Sequence, residues 1–101
     1  MSSMRVEFAD DDLERLLYDA DFVPRLPQEV VTKYRMRMQY ILQAPDERAF
    51  RAMKSFHYEE LKGQRKGQHS IRLNRQYRIV FRFDGAKEEK RIVILSIEDY
   101  H

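Results

Sequence analysis

The sequence predicts an α+β fold in which an N-terminal strand and a helical hairpin pack on an antiparallel β-sheet meander. Two periodicities carry that prediction. Between residues 11 and 43 the apolar residues recur at three- and four-residue intervals, as on one face of a helix; from residue 68 onward they alternate with polar residues, as in half-buried strands. Glycine and asparagine fall between the alternating runs, which makes successive strands neighbours joined by short turns. Helices followed by strands, without βαβ alternation, is the α+β order. With 101 residues, 43% of them apolar and 36% charged, the chain is expected to form one domain, residues 1–101, around a modest core.

Arg5-Val6-Glu7-Phe8 alternates and reads as a short strand. Asp11 is the expected N-cap of a first helix, with Glu14 at capping-box spacing and Leu13, Leu16 and Leu17 as its apolar stripe. The acids suit the positive end of the helix dipole, so the Asp10-Asp11-Asp12 triplet reads as capping rather than as a metal site. Pro27 opens a second helix that runs to about Gln43, with Val31, Tyr34, Met38 and Ile41 on one face. It ends at Ala44, because the residue before a proline avoids helical geometry. Asp46 to Arg51 reads as a short third helix capped by Asp46, Ser55 to Tyr58 as an extended segment, and Glu59 to Gly67 as a polar loop.

Three strands follow. Gln68 to Asn74 places Ile71 and Leu73 on one face and Ser70 and Arg72 on the other. Tyr77 to Phe83 places Tyr77, Ile79, Phe81 and Phe83 inside and Arg78, Val80 and Arg82 outside. Arg91 to Glu98 is the most β-branched stretch and carries Asp99-Tyr100-His101 past the sheet. A tight turn at Asn74 to Gln76 sets Arg72 opposite Arg78. Like charges so placed destabilise a sheet by roughly 0.2–1 kcal/mol, a cost more easily kept where an anion lies between them.

Net charge divides unevenly, −3 over residues 1 to 50 and +5 over 51 to 101. The window from Lys62 to Arg82 holds Lys62, Arg65, Lys66, Arg72, Arg75, Arg78 and Arg82 without an acid. It points to a polyanion contact, the alternative being a solvated sheet face. Cations beside Tyr and His on one sheet face suit RNA, which supplies its own 2′-OH nucleophile and needs a base, an acid and positive charge. No metal is expected, since His57, His69 and His101 lack the spacing of a metal cage, and no cofactor is called for. Cysteine is absent, and neither a membrane-length apolar run nor a signal-peptide apolar region is present, so a cytoplasmic protein without membrane contact is expected.

Phe56 to Gly63, Arg65 to Asn74, Gln76 to Phe81 and the terminal Glu98-Asp99-Tyr100-His101 together resemble the HigB branch of the RelE/ParE toxin superfamily. The shared pattern is a leucine-lysine-glycine, a glycine-x-x-serine-isoleucine-arginine, a tyrosine-arginine-isoleucine and a terminal aspartate-tyrosine-histidine. Phe8-Ala9-Asp10 and Leu26-Pro27-x-Glu29-Val30 also fit, so the resemblance covers nearly the whole chain. It implies the RelE-like fold and the toxin of a bacterial type II toxin–antitoxin pair. Such toxins cut mRNA on the ribosome, leave a 2′,3′-cyclic phosphate, and are neutralised by a helix-turn-helix, HigA-like antitoxin that alone brings them to operator DNA. By matching positions, Lys62 and Arg78 would stabilise the scissile phosphate, Tyr100 would stack on or orient the base, His101 would move a proton, and Asp99 would orient one of these. Several relatives carry a histidine where Glu59 stands here, which leaves His57 and Glu59 as alternatives for the base. A gyrase-binding ParE-like toxin and an inactive interaction domain are the competing implications.

Overall fold

The computed structural model describes residues 4–86 and 89–100. The first strand, β1 (Arg5–Phe8), leads through the first helix, α1 (Asp11–Tyr18), to the long second one, α2 (Gln28–Gln43), and the short α3 (Arg48–Ala52). A 3-10 turn at Lys54–Phe56 precedes β2 (Glu59–Glu60), and another at Gly63–Arg65 precedes β3 (Gln68–Arg72), β4 (Tyr77–Asp84) and β5 (Arg91–Asp99). The strands form one sheet in the order β1-β5-β4-β3-β2. The meander is antiparallel as expected, but β1 joins its edge parallel to β5, with Phe8 opposite Ile94. The helices together with β2, β3 and β4 lie between β1 and β5 in the chain and supply the long connection that a parallel pair requires.

The expected apolar stripes are the observed core. Leu13 and Leu16 of α1 and Val31, Tyr34, Met38 and Ile41 of α2 are buried with Phe50, Phe56, Ile71, Leu73, Ile79, Phe81, Ile92 and Ile94. Tyr34 hydroxyl donates to the Leu13 carbonyl at 2.8 Å and Arg35 Nε to the Leu16 carbonyl at 2.9 Å, fastening α2 to α1. Burial and, to a lesser degree, Tyr18 push the Tyr34 phenol well above its ordinary value, so it remains a donor.

Several local expectations shift. Asp10, not Asp11, caps α1, because it is the residue with extended backbone and its carboxylate accepts the Asp12 N–H at 2.7 Å. At α3 the cap is Glu47; the Asp46 carboxylate still accepts the Arg48 N–H, two residues on at 2.9 Å. Ser55 to Tyr58 is not extended, since its first part is wound into the 3-10 turn. The expected loop from Glu59 to Gly67 contains β2, with Glu59 opposite Ser70 and Glu60 opposite His69. Val80 and Arg78 lie on the face expected to be outside, yet both are buried. A bulge in the β4–β5 ladder lets Val80 face Ser96 while Phe81 faces Ile94, inserting Leu95 and bending β5.

Candidate active site

The sheet face opposite the helices is built by alternation. Residues directly opposite one another share a face, so the register places Glu59, Ser70, Arg72, Arg78, Val80, Ser96 and Glu98 together there. Arg72 stands opposite Arg78, as the turn predicts. Arg78 is the centre of the group, with 7% of its surface exposed. Its Nε donates to Ser70 Oγ at 2.7 Å, and its Nη2 donates to the His57 and Ser70 carbonyls. Desolvation lowers its pKa; Glu59 opposes that shift and Arg72 adds to it. A guanidinium ordinarily titrates far above neutral pH, so it stays charged.

His57 has a left-handed backbone, φ 45° and ψ 50°, the one such non-glycine among the described residues. That conformation is uncommon for a side-chain-bearing residue, and here it accompanies a carbonyl turned onto Arg78. The His57 ring is exposed, so its contribution to the group is the main chain. Glu59 brings Oε1 to 3.9 Å from Arg78 Nη2, with its side chain 56% exposed. Tyr100 follows Glu98 by one alternation and is tied to Gln76 through its backbone N–H. This places the Arg78 guanidinium 5.6 Å from the centre of the Tyr100 ring, within cation–π range.

Lys62 is exposed and its ammonium has no hydrogen-bond or ion-pair partner among the described residues. It stands just after Leu61, whose N–H bonds to the Gln68 carbonyl, at the start of a turn bounded by Gly63 and Gly67. Both glycines have positive φ, 67° and 93°, so side chains there would strain the turn. Asp99 falls on the other face: it pairs in register with Tyr77, and its carboxylate accepts Gln76 Nε2 at 2.9 Å. The expectation for His101 lies outside the described residues.

The basic window divides in two. Arg65 forks onto Glu98 at 2.7 and 2.6 Å, and Arg82 pairs with Asp84 at 3.1 Å. Lys66, Arg72 and Arg75 have no carboxylate partner within 4 Å among the described residues. Arg72 and Arg75 line a cavity of about 530 Å³ at the β3–β4 turn, together with Lys33 and Glu29 from α2. Ser70, Glu98 and Lys33 are additions that sequence reasoning missed. Ser70 carried one usable signal, a small hydroxyl diagonal to an arginine in the β3–β4 register. His69 belongs to the core side, where its Nδ1 and the Tyr58 hydroxyl share a hydrogen bond of 2.8 Å and its ring stacks on Phe81. Among the described residues no three His, Asp or Glu side chains converge to hold a metal, and no helix is long and apolar enough to cross a membrane.

A buried cation with neutral acceptors, an aromatic ring above it and a carboxylate at its rim can seat a phosphate, stack a base and accept a proton. Comparison with known proteins agrees with the architecture. The family model described as the RelE-like toxin HigB of type II toxin–antitoxin systems matches residues 6–101. A YoeB/ParE toxin from Agrobacterium tumefaciens is similar in structure, with a TM-score of 0.61 and 18% identity over 97% of this chain and 100% of that one. So is a chain of the YoeB–YefM complex from Staphylococcus aureus, with a TM-score of 0.58 and 22% identity over 99% of both chains. No curated protein sequence matches this chain significantly.

Proposed function

We propose that this chain, which belongs to the HigB-like family of RelE-like toxins of type II toxin–antitoxin systems, is a ribosome-dependent mRNA endoribonuclease. The observation that carries this reading is Arg78, a buried guanidinium held by Ser70 and the His57 carbonyl below the Tyr100 ring. Its hydrogen bonds among the described residues use Nε and Nη2, so Nη1 is the donor offered to a scissile phosphate. Lys62, on the adjoining turn, supplies a second cation. The 2′-oxygen attacks phosphorus, the P–O5′ bond breaks, and a 2′,3′-cyclic phosphate remains. Glu59 takes the 2′-OH proton, His101 protonates the leaving 5′-oxygen, and Tyr100 stacks on the base. Asp99, fastened to Gln76, orients the terminal residues. Positive charge matched to the phosphorane-like transition state is the main contribution asked of the protein.

Lys66, Arg72 and Arg75 would then guide the RNA backbone, joined by Lys33. The protein partner is an antitoxin, in keeping with the staphylococcal relative solved as a YoeB–YefM complex. We assign it the HigA-like helix-turn-helix type, and operator DNA would be reached only through the toxin–antitoxin complex in the bacterial cytoplasm.

The test is cleavage of mRNA on programmed ribosomes under single-turnover conditions, with 3′ ends mapped. Arg78→Ala should slow cutting by about 10²–10³-fold, the scale for losing one transition-state donor. Full activity in that variant would sink the assignment. The first structural relative is named as YoeB/ParE, so gyrase supercoiling is the second assay. Inhibition of supercoiling without RNA cleavage would favour a gyrase-binding toxin.

A further inference from the structure

Glu98 stands directly opposite Arg78 in the β4–β5 register, on the same face. Opposite residues on neighbouring strands have Cβ atoms about 4.5–5.5 Å apart, so a cross-strand ion pair is the contact that topology alone dictates. It does not form: no Arg78 nitrogen lies within 4 Å of a Glu98 oxygen. Arg65 instead reaches across from the β2–β3 turn and binds both carboxylate oxygens, Nη1 to Oε1 at 2.7 Å and Nη2 to Oε2 at 2.6 Å. Ser96 Oγ adds a bond to Oε2 at 2.6 Å, and Gln68 Oε1 accepts Arg65 Nε at 3.0 Å and fixes the fork's direction. The planar guanidinium matches a carboxylate in a way an ammonium cannot. Arg78 meanwhile is held by the neutral acceptors Ser70 and His57, with Glu59 at the rim as its acidic contact.

We infer that Arg65 is a positioning residue: by occupying both oxygens of Glu98 it keeps that acid off Arg78, so that the Arg78 guanidinium stays available to an incoming phosphate. The inference rests on the proposed phosphate-binding role of Arg78. In the absence of Arg65, Glu98 is a part-buried carboxylate with a hydroxyl for company and Arg78 as the cation across the ladder. Collapse onto Arg78 would neutralise the site. Arg65 thus serves the reaction without touching RNA.

Removing Glu98 as well should undo the damage, and this separates sequestration from direct contact. The measurement is the Arg78 side-chain Nε–H resonance in the purified, full-length protein, titrated with inorganic phosphate. Arg65→Ala should weaken phosphate binding about tenfold, the scale of one charge-assisted hydrogen bond. Arg65→Ala with Glu98→Gln should bind within about twofold of wild type, and Glu98→Gln alone at least as tightly. Single-turnover RNA cleavage should rank the variants in the same order. The inference is overturned if Arg65→Ala binds phosphate normally, if the double variant stays as weak as Arg65→Ala, or if Glu98→Gln alone binds more weakly. If wild type binds phosphate at Arg78 and the ranking holds but no variant cuts RNA, sequestration stands and the nuclease reading fails.

Discussion

His69, one of the three histidines whose spacing suits no metal cage, has a structural role. Its ring packs in a cluster with those of Tyr58 and Phe81, which also touch each other, and Phe83 meets it edge-on; burial lowers its pKa below the ordinary 6.5, against the opposing pull of Glu60. Burial also pushes the Tyr58 phenol up to about 12, so it keeps its proton beside a neutral imidazole whose Nδ1 shares a hydrogen bond with it. A histidine held neutral in the fold binds fewer protons than in the unfolded chain. Stability on its account is therefore full above pH 6.5 and is lost as pH falls through 6.5 toward the lower folded value. Urea unfolding from pH 7.5 to about pH 5 should show this loss, and His69→Gln should flatten the profile. An unchanged pH slope in that variant would mean that another group carries the dependence. His57 offers the converse case: an exposed ring whose backbone, rather than imidazole, reaches the site.

Elements are held by a few polar bonds set into apolar faces. The α1–α2 pair depends on Tyr34, whose hydroxyl is buried and bonded to a carbonyl of α1. Tyr34→Phe removes that bond, while the Leu13 carbonyl, inside α1, keeps its helical partner, so the change should cost about 0.5–1.5 kcal/mol. For a chain of this length that lowers Tm by roughly 4–8 °C per kcal/mol, readable by calorimetry. A Tm within a degree of wild type would show that the hydroxyl bond adds no net stability. Because α1 and α2 pack on the face away from Arg78, RNA cleavage at 25 °C should be unaffected. The turn between β2 and β3 behaves differently, since its glycines shape it but Arg65 ties it to β5.

Across the whole molecule, charge is sorted by geometry rather than by sequence distance. Arg15, Arg48, Arg51, Arg65, Arg82, Arg91 and Lys90 pair with acids within the chain. Lys33, Arg72 and Arg75 gather about one cavity with Glu29, which is bonded to Asn74 at 3.3 Å. Such unpaired cations are the ones able to displace counterions from RNA. Replacing all three by Ala should weaken ribosome binding and reduce the slope of log K against log salt by about 2. The cleavage rate of bound complexes should hold. A slope equal to wild type would remove this cavity from the RNA path.

What the sequence determined by itself was local or periodic. The helix stripe of Val31, Tyr34, Met38 and Ile41, the helix stop at Ala44, the alternation of β3 to β5 and the Arg72–Arg78 opposition were all legible there. Each depends on backbone geometry over a few residues, or on a short turn that sets register. The family resemblance named Lys62, Arg78, Asp99, Tyr100 and His101, with His57 and Glu59, as candidates only. Only the tertiary structure decided that β1 runs parallel to β5, that Arg78 and Val80 are buried on the second face, and that Asp99 points away from Arg78. Nor could spacing show that Arg65 would claim Glu98, 33 residues on, ahead of the Arg78 opposite it. Ion pairing is settled over the last few ångströms by the path of a turn and the direction of a guanidinium, and no periodicity in the chain encodes either.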